Sequence, residues 1–408
     1  MCSDTANGYY KRMRKTHSRP FQFPWREDNR FCLLNDGPAY FPQMLSAIES
    51  AKQFVLLEMY LVESGKLIQR FIDTILRSAQ HGVHIYILFD DYGTIGLNQS
   101  QREQLNHKNI HLQFFNKLPS HNTLHNMLLI FLLKKEHGLF RNHRKLLLVD
   151  GETAFVGGTG LTDEFERQDE PEKSWRETMI MIQGPVILDW QQLFTDNWNR
   201  STQQTISLPA ANETMIAHKK SGNQTGRVTV NEIKQYSEVL ISLNNHIYNA
   251  KKRVWFCSAY FVPGRRIRRR LKRSAKAGLD VRLLLPGPIT DHPSVRHAGQ
   301  RFYARLLKNG VRIYEYQPRF IHSKCVLCDD WVTIGSSNFD RWNLRWNLEA
   351  NQEIEDKNFA SDIKSMFIED FENSVEITLE NWQQSSWHLR LRRWFWKNIE
   401  RLSQKIGN

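Results

Sequence analysis

The sequence contains no long apolar run. Nowhere in its 408 residues does an uninterrupted apolar stretch reach the roughly 18 residues that a membrane-spanning helix needs. The first 24 residues are polar and basic, and they lack the apolar centre of a secretory signal peptide. These absences predict that any contact with a membrane is peripheral.

Cysteine is scarce and shows no pairing pattern. The five cysteines are an odd number without a repeated spacing, which argues against a disulfide framework and favours a reducing compartment. They are Cys2, Cys32, Cys257, Cys325 and Cys328. The last two have C-x-x-C spacing, but positions three apart on a strand face opposite sides. We therefore interpret them as small core residues rather than as a redox or zinc pair.

Length and charge set broad limits on the protein. A chain of 408 residues favours two domains of about 150 to 200 residues each. The formal charge of +13 and the pI of about 9.5 favour an anionic partner. That partner could be nucleic acid, an acidic lipid surface or a phosphorylated substrate, and charge alone does not distinguish them.

Helices and strands alternate in the same order in the two halves of the chain. The first half predicts a helix at 40–50, a strand at 54–61, a helix at 66–80 and a strand at 83–89. The second half predicts the same series at 236–249, 253–262, 265–276 and 279–285. The segment 78–83 also resembles 274–279, which supports a duplication. The predicted fold class is α/β, with two repeated halves, each a mixed, mostly parallel sheet flanked by helices.

These patterns divide the chain into five segments. A basic arm at 1–36 precedes the first half at 37–201, a polar linker at 202–227 and the second half at 228–384, and a basic tail ends the chain at 385–408.

An insertion at 118–140 in the first half and the tail both have the pattern of amphipathic helices with basic flanks. Aromatic and basic residues in the tail suit a lipid headgroup region. Each stretch either packs on the protein body or lies on a lipid surface.

A histidine and a lysine two residues apart occur twice, once in each half. The copies are His143 with Lys145 and His322 with Lys324, and the spacing puts both side chains of a pair on one face of a strand. An aspartate follows each histidine by seven residues, at Asp150 and Asp329. Small residues end each copy: Gly157, Gly158 and Thr159 in the first, and Ser336, Ser337 and Asn338 after Gly335 in the second.

This duplicated set suits the cleavage of a phosphodiester. One imidazole can attack phosphorus and form a covalent phosphohistidine, while the other protonates the leaving oxygen and later deprotonates the incoming alcohol. The lysines neutralise the charge on the non-bridging oxygens, and the small residues let backbone groups approach an anionic oxygen. An aspartate at the turn after each strand can orient an imidazole. The mechanism requires no metal and no cofactor.

The two copies resemble the paired H-x-K-x-x-x-x-D motifs of the phospholipase D superfamily. More narrowly, the chain resembles bacterial cardiolipin synthases over about 40–356. The stretches that carry this likeness are 175–178 (WRET), 184–185 (GP), 260–263 (YFVP), 285–287 (LPG), 310–316 (GVRIYEY), 335–341 (GSSNFDR) and 347–351 (NLEAN).

The resemblance implies two phospholipase D-like halves related by a pseudo-twofold axis, with one shared active site. It implies that His143 is the nucleophile and that His322 is the acid and base. The implied substrates are phospholipids, with phosphatidylglycerol or a similar lipid as the donor. The implied location is the cytoplasmic face of the bacterial inner membrane, in a short form without amino-terminal spanning helices that binds an anionic membrane surface peripherally.

The chain departs from the family pattern in two places. Gly157, Gly158 and Thr159 precede a glycine where the family has asparagine, so that Asn338 is the only phosphate-binding amide. In the second motif both Asp329 and Asp330 could supply the acid, and we choose Asp329 by its distance from Lys324. Glu349, assigned to substrate binding, and Glu58 either support the site or are ordinary solvated or capping carboxylates.

Three other functions compete with phosphatidyl transfer. A lipid hydrolase would use the same residues and admit water in place of an alcohol. A nuclease would fit the positive charge, but single-motif nucleases of the superfamily are small, so no nucleic-acid partner is expected. A membrane-binding scaffold would not need two intact His-Lys pairs.

Overall fold

The computed structural model describes residues 22–118, 140–202, 205–206, 208, 221–232, 236–340 and 346–384. Most of the predicted insertion helix and all of the predicted tail helix lie outside these ranges. Within the described part of the chain, no helix is long and apolar enough to cross a membrane.

The first half alternates strands and helices before it becomes mainly strand. Its elements are β1 (Arg26–Asn35), α1 (Gly37–Glu49), β2 (Phe54–Met59), α2 (Lys66–Gln80), β3 (His84–Asp90), α3 (Gln99–Gln104), β4 (Ile110–Phe115), β5 (Arg141–Asn142), β6 (Leu146–Val149), β7 (Thr153–Gly157), β8 (Thr178–Gln183) and α4 (Ile187–Thr202).

The second half repeats this order. Its elements are β9 (Gln224–Glu232), β10 (Tyr236–Ser237), α5 (Glu238–Asn249), β11 (Arg253–Ser258), α6 (Arg265–Lys276), β12 (Asp280–Pro286), α7 (Pro293–Gln300), α8 (Tyr303–Leu307), β13 (Arg312–Tyr316), β14 (Lys324–Cys328), β15 (Trp331–Gly335), β16 (Asn347–Glu355), α9 (Lys357–Glu372), β17 (Ser374–Ile377) and α10 (Leu379–Gln383).

Each half contains a mixed sheet with the same strand order. In the first half β4, β3 and β2 pair in parallel, and β6, β7, β8 and β1 continue from β2 as antiparallel neighbours. In the second half β13, β12 and β11 are parallel, and β14, β15, β16 and β9 continue antiparallel. The predicted α/β class is confirmed, but parallel pairing is a minority. The prediction overestimated it because only strand-helix-strand units show clearly in the sequence.

The two sheets meet through β1 and β9, which pair antiparallel with Arg26 opposite Gly226. Strands β1 and β9 correct the predicted irregular arm (1–36) at residues 26–35 and the predicted linker (202–227) at residues 224–227. The charged start of β1 resembles an arm in the sequence, but Arg26 forms a two-pronged ion pair with Asp189, at 2.7 Å for each contact. A segment that looks solvated in the sequence therefore lies where the halves join.

Burial explains why these elements form. All six residues of β2 are buried, as expected for a strand covered on both faces. Helix α2 buries one stripe that contains Leu67, Phe71 and Ile75, at the spacing of a helical face. Its start is capped from a distant loop, because the Asp163 carboxylate accepts hydrogen bonds from the backbone amides of Lys66 and Leu67 at 3.0 and 2.7 Å.

Three of the cysteines in the described part of the chain are core residues. Cys257, Cys325 and Cys328 are buried free thiols, and burial raises the pKa of each. This confirms the interpretation of the C-x-x-C spacing as part of a strand.

Candidate active site

Both histidines lie at the contact between the halves. His143 follows β5, and its backbone amide donates to the carbonyl of Leu348 on β16, at 3.0 Å. His322 precedes β14, and its amide donates to the carbonyl of Arg176, at 2.8 Å. Each histidine-bearing segment is thus hydrogen-bonded to the opposite half. Both imidazoles are buried, at 8% and 7% exposure.

Each imidazole contacts a glutamate from the other half. Nδ1 of His143 lies 3.0 Å from Oε2 of Glu349 on β16, and Nδ1 of His322 lies 2.7 Å from Oε2 of Glu177. When Nδ1 donates its proton to a carboxylate, Nε2 keeps a free lone pair. In that tautomer, Nε2 of a neutral imidazole can attack an electrophile or accept a proton.

The lysines lie beside their histidines and are almost fully buried. Lys145 Nζ donates to the carbonyl of His143 at 2.6 Å and lies 5.1 Å from the centre of the Tyr60 ring. Lys324 Nζ contacts the carbonyl of His322 and lies 3.7 Å from Glu177. Burial lowers the pKa of Lys145 to about 7, against the opposing charge of Glu349. Burial also lowers the pKa of Lys324.

The electrostatics show that the two pairs form one cluster. Burial first, and then the charges of Lys145 and Lys324, lower the pKa of His143 well below its usual range. Burial and Lys324 lower the pKa of His322 to about 4. A lysine from one half thus acts on a histidine of the other, so the sequence prediction of two converging His-Lys pairs agrees with their placement.

The pKa values of the two glutamates shift in opposite directions. Burial raises the pKa of Glu349 to about 8, although Lys145 opposes this. Burial would raise the pKa of Glu177 as well, but Lys324 and the hydrogen bond with His322 outweigh it and the pKa falls. His322 therefore faces the carboxylate with the stronger tendency to stay ionised.

Asp150 and Asp329 do not contact the imidazoles, which corrects the orienting role predicted for them. The Asp150 carboxylate accepts from the backbone amides of residues 52, 53 and 54, at 2.7 to 2.9 Å. The Asp329 carboxylate accepts from residues 251, 252 and 253 over the same range of distances. Each aspartate lies at the far end of a strand from its histidine and anchors the entry to the neighbouring strand. The matching contacts identify Asp329, rather than Asp330, as the counterpart of Asp150.

The predicted substrate-binding residues divide into two groups. Thr159 uses its hydroxyl for interior contacts, with Tyr40 Oη and with the carbonyl of Gly160, each at 3.1 Å. Ser336 Oγ donates to Glu349 Oε2 at 2.5 Å, so it supports the carboxylate. Ser337 Oγ and Asn338 Oδ1 are buried and make no hydrogen bond in the structure. Ser337 and Asn338 thus remain the candidates for contact with a substrate.

Gly157 and Gly158 make room for the Glu177 strand. A Cβ on Gly157 would collide with Met179, and a Cβ on Gly158 would collide with the Glu177 carboxylate. Gly158 occupies the place that Ser336 has in the second half. The site therefore has a hydroxyl donor beside Glu349 and none at the matching position beside Glu177.

We expect Gly158→Ala to lower turnover by about 100-fold, because a displaced Glu177 would misplace His322. Gly264→Ala is a suitable control, since a Cβ there meets nothing within 4 Å and the backbone is not left-handed. Turnover and thermal unfolding of both variants would check this. Full turnover in a folded Gly158→Ala variant would contradict the orienting role of Glu177.

An aromatic wall surrounds His322, and the sequence analysis missed it. The rings of Trp175, Phe165, Phe320 and Tyr260 lie 5.3 to 6.1 Å from its imidazole, measured between ring centres. Phe320 lies two residues before His322, but the other three rings come from distant segments, so no spacing in the sequence could reveal the whole wall. It excludes water around the imidazole and accounts for the large effect of burial on its pKa.

Two buried charged side chains, Arg176 and Glu58, support the segments that carry the active site. Arg176 pairs with Asp370 of α9 at 3.1 Å and donates to the carbonyl of Glu177 at 2.7 Å, which fixes the segment that carries Glu177. Glu58 accepts from Asn142 and Asn197 at 2.7 and 2.6 Å and fixes the turn before His143. Glu58 therefore supports the site without touching an imidazole in the structure.

Burial of His322 should make the protein sensitive to acid. The pKa of the imidazole is near 6.5 in the unfolded chain and about 4 in the folded protein. Its contribution to stability is therefore complete above pH 6.5. It is lost as the pH falls towards 4, because the unfolded chain binds a proton that the buried imidazole does not. We expect a loss on the order of 2 kcal/mol between pH 7 and pH 5. Urea unfolding of the wild type and of His322→Gln would check this, because the variant should lose less stability over that interval. Parallel pH profiles would contradict it.

No group of three or more His, Cys, Asp or Glu side chains in the described part of the chain is arranged to hold a metal ion.

Two repeated α/β halves that share one centre of paired His and Lys side chains are the arrangement of the phospholipase D superfamily, and the fold and site assign the chain to this class of enzymes. Within that class, the chain belongs to the cardiolipin synthase family. A family model described as "Cardiolipin synthase, PLD-like domain" matches residues 44–198 and 243–371.

Individual relatives agree with this assignment. The chain is 32% identical over 366 residues to a cardiolipin synthase A of Pseudomonas putida, covering 88% of this chain and 72% of the relative. It is 28% identical over 362 residues to a cardiolipin synthase of Halalkalibacterium halodurans, covering 88% and 69%.

Solved structures show the same fold at low identity. A phosphatidylserine synthase of Haemophilus influenzae superposes with a TM-score of 0.70 at 12% identity, over 98% of both chains. A polyphosphate kinase of Porphyromonas gingivalis gives 0.55 at 15% identity, over 86% of this chain and 49% of the kinase.

Proposed function

We propose that the protein transfers a phosphatidyl group from one phospholipid to the hydroxyl of another, through a phosphohistidine on His143. Phosphatidylglycerol or a similar lipid is the donor. The observation that carries the proposal is the crosswise pairing of His143 with Glu349 and of His322 with Glu177, which supplies two oriented imidazoles in one buried cluster.

In the first step Nε2 of His143 attacks the phosphorus of the donor. His322 is neutral in the free protein, but the anionic phosphate of a bound donor favours its imidazolium form. The bond between phosphorus and the headgroup oxygen breaks, and this imidazolium gives its proton to that oxygen, which leaves as an alcohol. In the second step the hydroxyl of the acceptor lipid loses its proton to His322 and attacks phosphorus. The bond to His143 then breaks, and both imidazoles return to their starting states.

The unequal carboxylates support this division of roles. An acid and base must pass through the imidazolium form, which the ionised Glu177 stabilises at 2.7 Å. A nucleophile must be neutral, and Glu349 with its raised pKa gives an imidazolium less support. Lys145 and Lys324 balance the charge that builds on the non-bridging oxygens.

Hydrolysis is the alternative outcome of the same chemistry, because water can replace the acceptor alcohol. The test is to incubate the purified protein with vesicles of phosphatidylglycerol and to identify the products by mass spectrometry. A dimeric phospholipid with free glycerol supports transfer, whereas phosphatidic acid with glycerol supports hydrolysis. Absence of any lipid product would contradict both.

The protein should work at a membrane surface. The proposed substrates stay in the bilayer, so the active site must reach headgroups from the side. We infer a peripheral position on the cytoplasmic face of the bacterial inner membrane, with attraction between the +13 charge and anionic lipids.

Activity should survive chelation of divalent metals, because side chains fill each role in the proposed mechanism. The measurement is the rate of lipid product formation with and without EDTA at fixed ionic strength. Loss of activity in EDTA and its return with an added divalent ion would show that a metal takes one of these roles.

A further inference from the structure

Helix α6 in the second half is strongly basic. Eight of its twelve residues are arginine or lysine, and none is acidic. Its apolar face, with Ile267 and Leu271, is buried against the second half, so most of the basic residues line the outer face. A helix with this charge repels itself unless a partner neutralises it.

A pocket of ≈ 210 Å³ opens between α6 and α8. Its charged lining consists of Arg265, Arg268, Arg269, Lys272 and Arg305, and no acidic side chain lines it. The Phe302 ring forms part of its wall and carries Arg268 at 4.0 Å from its centre. We call α6 and this pocket together the α6 surface.

The counterpart helix α2 provides an internal comparison. Its cations Lys66, Arg70 and Arg77 form ion pairs with Asp169, Glu166 and Glu49. The pocket beside α2 likewise contains several carboxylates among its lining residues. The first half thus balances its charges at this place in the fold.

In the described part of the second half, three positive charges of α6 are not balanced by ion pairs. The alignment that places Ser78 on Ser274 also places Gln69 and Asp73 on Arg265 and Arg269. Arg265, Arg269 and Lys272 have no ion-pair partner in the part of the chain that the structure describes. The two helices thus differ in charge balance, and the unpaired charges of α6 are as expected for a surface that meets an external anion.

The loop that leads into α6 contacts the active site. Helix α6 follows β11 through a short loop, and Tyr260 in that loop has its ring 6.1 Å from the imidazole of His322. The first turn of α6 is therefore the part nearest the catalytic cluster.

We propose that the α6 surface binds the anionic headgroups of a phospholipid bilayer and holds the entrance of the active site against it. This inference rests on the proposed function, since a substrate that stays in the bilayer makes a lipid surface the neighbour of the site. Phosphate groups fit a pocket of arginines and a lysine, because guanidinium groups donate in pairs to phosphate oxygens.

The test compares two triple variants with the same loss of charge. The first is Arg265→Gln, Arg269→Gln and Lys272→Gln on the α6 surface. The control is Lys52→Gln, Lys251→Gln and Lys252→Gln, exposed residues at the amino ends of the central strands, away from the active site. Cosedimentation of the full chain is measured with vesicles of phosphatidylcholine alone and with added phosphatidylglycerol.

We expect the α6 variant to lose about 10- to 100-fold in partitioning onto phosphatidylglycerol vesicles. The control variant should lose less than about 3-fold, through net charge alone. Equal partitioning of the α6 variant and the wild type, or equal loss in both variants, would overturn the proposal. Arg269→Gln alone allows the same comparison, with a smaller change, if the triple variant does not fold.

A duplex oligonucleotide serves as the competing ligand. If the α6 variant keeps its vesicle binding and loses oligonucleotide binding, the surface belongs to a nucleic acid and the proposal is wrong. Vesicle binding does not depend on turnover. If the wild type binds vesicles through α6 but forms no lipid product, the proposed function is contradicted, whereas the proposal that the α6 surface binds lipid still holds.

Discussion

Replacing either His143 or His322 with alanine should lower phosphatidyl transfer by about 10⁴-fold or more, because groups that act as one unit are each needed for turnover. Both side chains are buried at the contact between the halves, so each variant must first be shown to fold, by circular dichroism and thermal unfolding. The measurement is the rate of lipid product formation on phosphatidylglycerol vesicles. More than a few percent of wild-type activity in either folded variant would contradict the two-histidine mechanism.

A donor with a good leaving group separates the two roles. Phosphatidyl p-nitrophenol releases a stable phenolate, which leaves without help from an acid. His322→Ala should therefore release about one equivalent of nitrophenol and keep a phosphatidyl group on the peptide that contains His143. His143→Ala should give neither. A burst in His143→Ala, or an adduct located on His322, would reverse the assignment.

The sequence reveals the parts of the site that depend on local spacing. His143 and Lys145 lie two residues apart, and the second pair repeats this spacing, so a shared face and a duplicated site could be predicted from the chain alone. The partners of the imidazoles could not be predicted. Glu349 and Glu177 lie 206 and 145 residues from the histidines that they contact. Such contacts depend on how the halves pack together.

The error over Asp150 has the same origin. An acidic residue at a fixed distance from a histidine suggests a pair, but a strand separates them, so the carboxylate caps the backbone of the next strand. The fold shows a similar limit. The first helix-strand-helix-strand series of each half followed from periodicity, whereas β1 was missed because its role comes from pairing with β8 and β9.

Replacing Glu177 with glutamine should cost about 10³-fold in turnover, and it should also lower stability, because the buried Lys324 loses a counter-charge 3.7 Å away. Glutamine keeps the size of the side chain and one acceptor oxygen, but it removes the charge that stabilises the imidazolium of His322, 2.7 Å away. A carboxylate that orients a catalytic histidine has an effect of about this size in other enzymes. Glu349→Gln should cost less, because the raised pKa of Glu349 means that less negative charge is lost at neutral pH.

Asp329→Asn is the matched control, because it changes a carboxylate to an amide within the second motif. The Asp329 carboxylate accepts three backbone hydrogen bonds, so the variant should lose about 1 to 3 kcal/mol of stability. Its turnover, measured well below its unfolding temperature, should stay close to that of the wild type, since Asp329 does not contact His322. Glu177→Gln, in contrast, should lose turnover even where the variant is fully folded. If Asp329→Asn lost turnover as severely as Glu177→Gln while folded, the aspartate would have a catalytic role after all. The assignment of the orienting role to glutamates from the opposite halves would then be wrong.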